Sequence, residues 1–352
     1  MATTICLLAA SHGDSILVSH SSEASTFNLL IDGGPAKTFG VGPGGRRPGP
    51  LRIALDEIKE KRQCVDLVIL THVDSDHIKG LIKAFKTEGY LSTLAKRVWL
   101  NASSNISAYL SEAEISENSI PFSTGDSPET SVRDGKTFEQ LLTELDCWRR
   151  EVIVAGEVIT EGPFKFTILS PTHKDLRKLH CIWPDETPPA DTTGEANDYH
   201  QSLSDLLEND EFFEDPSFTN GSSIAFVLEI EEKKILFLGD AYASTIVGAL
   251  ESLGHTKENK LVVDCVKISH HGSHFNTSVE MLDLIECRSY LISTDGTKHG
   301  HPHKRTLARI LNAHPDNVIY FNYEDAFKGV LLGSEIVSYE SRLRSLTNGI
   351  QI

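Results

Sequence analysis

Short apolar runs alternate along the chain with stretches whose apolar residues recur every three or four positions, the pattern of strands interleaved with helices. Runs at residues 3–9, 15–19 and 26–31, separated by turn residues, predict an antiparallel meander. A Gly- and Pro-rich loop, 33–50, follows. Apolar positions 51, 54, 55 and 58 predict an amphipathic helix over 51–61. Next come a buried strand at 65–70, a helix at 78–87 and a strand at 98–101. Residues 107–149 read as mainly helical, broken near 121–128, and 164–169 as strand again. Further on, 223–230 and 234–238 predict a hairpin, and 261–268, 289–293 and 317–322 each open a strand–helix unit. Residues 329–339 are read as one or two edge strands.

At 352 residues, the chain has room for one large domain or two ordinary ones, and 39% hydrophobic residues supply a core. No apolar run approaches the ~18–20 residues that span a bilayer, and residues 1–10 read as a strand rather than a leader. Six cysteines are widely scattered with no C-x-x-C pair, which predicts a reduced, cytoplasmic protein without a disulfide scaffold. Residues 171–220 look like an insertion rich in proline and acid, a lid or a solvated loop. The net charge of −17 argues against non-specific coating of nucleic acid, yet eleven acidic residues fall between 185 and 215. The global sign therefore says little about the field at any one site.

Residues 71–77 read Thr-His-Val-Asp-Ser-Asp-His, between the strand at 65–70 and the following helix. His72, Asp74, Asp76 and His77 are four potential ligands on a loop leaving a strand's C-terminal end, where side chains converge without burying unpaired charge. Two carboxylates held this close repel unless something positive lies between them, and a metal ion supplies it. The plain alternative is a polar turn with Asp76 as helix N-cap. Asp240 ends the run Leu-Phe-Leu-Gly-Asp, again directly after a strand. Lys-Ile-Ser-His-His-Gly-Ser-His (267–274) and the segment 293–303, ending Gly-His-Pro-His, follow two more strands. Six of the fifteen histidines lie between 270 and 303, and clustering at strand ends marks a site.

In this order the blocks resemble the metallo-β-lactamase superfamily, whose signature is H-x-H-x-D-H followed by a later His, a bridging Asp and another His. Asp74 stands where that signature has its second His. This H-x-D-x-D-H variant resembles the hydrolase domain of the competence protein ComEC and related choline-phosphate esterases, although no membrane channel is attached here. Gly13-Asp14-Ser15, Ile31-Asp32-Gly33-Gly34, Asn220-Gly221-Ser222-Ser223 and Gly300-His301-Pro302 resemble further blocks, so the likeness covers most of the chain. It implies an α/β fold, an αββα sandwich of two mixed sheets with helices outside. The implied domain is single, 1–352, in halves of about 1–165 and 166–352, with poorly fitting insertions at about 102–160 and 171–219.

The resemblance also implies two divalent metal ions, zinc or manganese. His72, Asp74 and a later histidine, foremost His270, would hold the first; Asp76, His77 and either His271 or His301 the second; Asp240 would bridge them. A hydroxide between the metals would be the nucleophile, with Asp76 beside it. Asp14 and Asp32 would orient ligand histidines. His301 or His303 would protonate the leaving group or hold a phosphoryl oxygen.

Lys298, Lys304 and Arg305 flank the last histidines, and Arg46 and Arg47 sit in the Gly-rich loop; these are read as cations that grip phosphate, with Asn220 a further substrate contact or a packing residue. Lys304 and Arg305 could equally open a surface helix. The expected activity is that of a metal-dependent hydrolase acting on a phosphodiester, nucleic acid included, with no membrane partner. A thioesterase or lactonase of the same fold, and a partner-binding module of the defence or toxin–antitoxin kind, are the alternatives. The acidic stretch 185–215 is expected to lie away from the cleft or to move when substrate binds, because it would repel a polyanion.

Overall fold

A computed structural model describes residues 2–23, 25–111, 128–145, 147–182, 197–346 and 349–352. The helix break expected near 121–128 and the acidic positions 185–195 lie outside them, apart from Pro128 itself.

Two mixed sheets pack face to face. The first runs in the order Ile350–Gln351, Ala2–Leu7, Ile16–Ser21, Thr26–Ile31, Leu67–Ile69, Val98–Trp99. Its meander is antiparallel, and Leu29–Leu67 and Val68–Val98 register the two parallel additions. The second runs Leu343–Ser345, Val318–Phe321, Ser289–Ile292, Cys265–Lys267, Lys233–Phe237, Ala225–Ile230, Phe164–Ser170, Val158–Glu161. Strands from Leu343–Ser345 to Lys233–Phe237 are parallel; the remaining pairs are antiparallel.

Strand alternation sorts the core into layers. Leu29, Ile31, Leu67, Ile69, Phe226 and Phe237 belong to the cluster between the sheets. Their neighbours Leu30, Val68 and Leu70 pack outward against the helices Pro50–Glu60, Ser75–Lys86 and Pro128–Thr143. Val227, Leu236 and Val266 pack outward against Ala243–Ser252 and Lys304–Ala313. Helices therefore cover both outer faces, the αββα arrangement.

Three expectations need correction. The strands beyond 329 lie later, at Leu343–Ser345 and Ile350–Gln351, while Gly333–Tyr339 is helical. The Glu335 carboxylate accepts the Leu332 backbone N–H at 2.7 Å and so caps that helix, whose Val337 stays exposed rather than joining a sheet face. The division near 165 is crossed twice, because Val158–Glu161 joins the second sheet and Ile350–Gln351 returns to the first. The Asp76 cap is not realised: Asp74 occupies the N-cap position of Ser75–Lys86 without a side-chain cap bond, and Asp76 lies in the first turn. Among the described residues no helix is long and apolar enough to cross a membrane.

Candidate metal centre

The predicted histidines and aspartates meet because the strands before them end at one edge. Lys233–Phe237, Cys265–Lys267 and Ser289–Ile292 are parallel neighbours, so the loops carrying Asp240, His270–His271 and His301–His303 leave the same side of the second sheet. The first sheet brings the 71–77 loop to them, and Ile224 N–H donates to Thr71 O at 2.9 Å where the sheets meet. Close approach demands glycine at 13, where a Cβ would collide with the Asp76 carbonyl oxygen. His270 and His271 have φ of 47° and 53°, a left-handed pair that L-residues adopt at a cost of ~1–3 kcal/mol each.

Hydrogen bonds fix the tautomer of each ligand candidate. His77 Nδ1 donates to Asp32 Oδ2 at 2.8 Å. His271 Nδ1 donates to Ser293 O at 3.0 Å, with Asp14 Oδ1 3.4 Å away. Thr71 Oγ1 gives its proton to Asp32 Oδ2 at 2.7 Å, which leaves it an acceptor for His72 Nδ1 at 3.1 Å. His270 Nδ1 lies 3.1 Å from Asp215 Oδ2 and 3.0 Å from Asn276 Oδ1, both acceptors. All four rings thus hold hydrogen on Nδ1 and turn Nε2 toward Asp240 Oδ2, at 3.7 Å for His72, 3.4 Å for His77 and 3.9 Å for His270 and His271.

Nε2 of His72, His77 and His271 and Oδ1 of Asp240 are buried without a hydrogen-bond partner. Ring nitrogens turned toward a carboxylate call for a positive charge between them, a proton or a metal ion. Asp74 Oδ2 lies 3.5 Å from His72 Nε2, and Asp76 Oδ2 lies 3.4 Å from His271 Nε2 and 4.0 Å from His77 Nε2. The donors fall into a His72–Asp74 side and an Asp76–His77–His271 side about Asp240. Nitrogen and carboxylate donors in this number fit two divalent cations. His77 with His72 and Asp240, and His77 with Asp76 and His271, each bring three donor atoms within 4.8 Å of one another.

The field agrees. Burial would lower His270 and His271, but Asp240 with Asp215, and Asp14 with Asp240, outweigh it and raise them to about 10 and about 9. Burial would raise Asp240, yet His77, His270 and His271 hold it well below the carboxylate range. The centre attracts positive charge, whether proton or metal.

His301 stacks edge-on against His270 with ring centres 4.9 Å apart and is 6.2 Å from His271. Burial, then neighbouring imidazoles, pushes His301 well below its usual range and His303 to about 3. This favours the neutral form of both, and with it the expected role of holding a phosphoryl oxygen over that of protonating the leaving group. His303 Nδ1 accepts the His274 backbone N–H at 3.1 Å, which leaves its hydrogen on Nε2, buried and unpartnered.

Two expected phosphate cations are already committed. Lys304 is fully buried and pairs with Glu335 at 2.7 Å; Arg305 Nη1 pairs with Asp210 at 3.1 Å and donates to Leu206 O and Asn209 O. Their helix packs under residues 203–208, which sequence alone does not show. Arg46 and Arg47 are exposed and have no ion pair among the described residues. Asn220 donates to Asp215 Oδ2 at 2.8 Å, while its Oδ1 is buried without a partner. Asp14 is paired with the buried Lys267 at 2.6 Å. Sequence reasoning missed Lys267, Asn276 and Thr219, whose Oγ1 donates to Asp74 Oδ2 at 3.1 Å. It also expected the acidic stretch 185–215 to lie away from the cleft or to move; of its described part, 197–215, the last residue, Asp215, instead contacts His270.

No family model and no curated protein matches the chain. Among solved structures it is similar to Zn(2+)-bound PqqB from Methylobacterium extorquens, with 12% identity, TM-score 0.44 and coverage of 100% of this chain and 99% of that one. The metallo-beta-lactamase fold protein YhfI from Bacillus subtilis gives 12%, 0.42, 100% and 99%. CmlA, a diiron beta-hydroxylase from Streptomyces venezuelae, gives 11% and 0.38, and the chain spans 54% of it. At such identities and scores no activity is carried across, and the chemistry rests on this chain's own residues.

Proposed function

We propose that the chain is a binuclear metal-dependent hydrolase acting on a phosphodiester, a nuclease or a related phosphodiesterase. The observation that carries the metal reading is the convergence of four Nδ1-protonated imidazoles on Asp240 Oδ2, with Nε2 left unsatisfied on His72, His77 and His271. A bound metal pair would supply Lewis acidity and a nucleophile at neutral pH. Around it, Asp32 orients His77 and, through Thr71, His72; Asp14 and Ser293 orient His271. His303 offers a neutral Nε2–H donor for an oxygen that gains charge. The H-x-D-x-D-H likeness to ComEC supports hydrolysis of a phosphodiester. Of the expected cations, Arg46, Arg47 and Lys298 are exposed and would meet it.

Purified protein loaded with Mn²⁺ or Zn²⁺ should hydrolyse bis-p-nitrophenyl phosphate and cleave single-stranded DNA. Metal content of two ions with turnover of thioesters or lactones alone would move the reading to the other hydrolases. Bound metal with no turnover on any of these substrates would point to a partner-binding module.

A further inference from the structure

We propose that Asp215 is a positioning residue for His270, delivered to the metal centre by the acidic arm 197–216; this rests on His270 being a metal ligand. The arm is anchored at both ends to elements that carry the site. Asp198 accepts the backbone N–H groups of Lys304 and Arg305 at 2.6 and 2.8 Å, at the start of the helix that follows His303. Asp210 receives Arg309 Nε at 2.9 Å and Nη2 at 2.6 Å, and Arg309, itself buried, donates to His274 O and Thr277 O in the loop that leaves His271. Asp215 N–H then donates to Phe275 O of the same loop at 3.2 Å.

The carboxylate so placed is nearly closed to solvent, with 6% of its side chain exposed. Its Oδ2 accepts from Asn220 Nδ2 at 2.8 Å, Asn276 Nδ2 at 3.0 Å and His270 Nδ1 at 3.1 Å; its Oδ1 accepts from Ser217 N at 2.8 Å. Asn276 Nδ2 also donates to Asp240 O at 3.1 Å, which ties the network to the backbone of the bridging position. A carboxylate on Nδ1–H fixes the ring and makes Nε2 a better donor to a cation. His270 needs that support, because its left-handed backbone places the ring in a conformation the local chain does not favour. Three of this arm's acids, Asp198, Asp210 and Asp215, are bound internally, while Asp205, Glu208 and Glu211 are exposed, so the bound ones make the segment part of the site.

The test is Zn²⁺ affinity by competition with a chromogenic chelator, on full-length wild type, Asp215→Asn, His270→Ala, the double variant, and Asp205→Asn as a charge control, an exposed residue of helix Leu203–Glu208 in the same arm. Asp215→Asn should weaken one of the two ions by about 10- to 100-fold. Asp205→Asn should leave both unchanged, and Asp215→Asn should add nothing once His270 is alanine. Additive losses, an unchanged Asp215→Asn, an equal loss in Asp205→Asn or an unchanged His270→Ala each overturn the proposal while leaving the metal reading intact. Failure of wild type to bind Zn²⁺ would remove both. Should Asp215→Asn not fold, ¹⁵N spectra of Zn²⁺-loaded wild type decide: the Nδ1–H tautomer at His270 is expected, and Nε2–H refutes it.

Discussion

His77 donates Nδ1–H to Asp32 Oδ2 over 2.8 Å and so turns Nε2 toward Asp240 Oδ2 at 3.4 Å. Asp240 Oδ2 also faces His72, His270 and His271, and its Oδ1 is buried without a partner. Asp240→Asn keeps the shape and removes the charge that the two proposed cations would share. Activity should fall by more than the ~10- to 100-fold that loss of a supporting residue costs, with metal content below two ions by elemental analysis. Full activity at unchanged metal content would exclude Asp240 as the bridge.

The metal-free protein holds protons where the metals would bind. Burial lowers His270 and His271, but neighbouring carboxylates raise them to about 10 and about 9, above the ordinary value of ~6.5. Below those values a metal must displace protons. Zn²⁺ binding at pH 7 should therefore release protons, measurable as a buffer-dependent heat in calorimetry, and affinity should climb as pH rises toward 9. A buffer-independent heat would contradict this.

Asp74 makes the His72 side richer in oxygen than an imidazole would. Oxygen ligands favour Mn²⁺ and imidazole favours Zn²⁺. Reconstituted with Mn²⁺, the protein should turn over at least as fast as with Zn²⁺, and Asp74→His should shift the ratio toward Zn²⁺. A wild type active with Zn²⁺ alone, and an Asp74→His variant with the same ratio, would count against this reading.

Lys304 and Arg305 are bound internally, so on the phosphodiester reading the exposed cations are Arg46, Arg47 and Lys298, of which the two arginines share one loop. Replacing both arginines with glutamine should raise KM for DNA several-fold with little change in kcat, and reduce its salt dependence. Neutralising Arg305 should instead lower thermal stability. A KM unaffected by the arginine pair would remove them from the substrate path.

Asp210 tests the anchor of the acidic arm. Burial would raise its carboxyl, but Arg309 and Arg305 outweigh this and hold it below the ordinary ~3.9. A depressed carboxylate stabilises the fold above its unfolded value and loses that contribution as pH falls through the folded one. Asp210→Asn should lower the melting temperature at pH 7, and the gap to wild type should narrow below about pH 4. A gap constant with pH would mean that the charge contributes nothing.

The helix and strand pattern, the loop 71–77 and the positions of Asp240 and His270–His271 after strands are local features, and they were readable because a strand's period and a ligand loop are written in neighbouring residues. Gly13 and Asp32 could be named for the same reason, as short blocks in a recognisable order. What joined them was decided elsewhere. Parallel adjacency of the strands before Asp240, His270 and His301 put their loops on one edge, and His271 lies by Asp76 because of it. Lys304 and Arg305 look like free cations in sequence, yet their acid partners lie 31 residues ahead at Glu335 and 95 residues back at Asp210. Asp215 is 55 residues from His270, inside a stretch whose composition suggests only repulsion. Charge is a property of the residue, but what neutralises it depends on which distant elements pack together, and no short-range pattern carries that information.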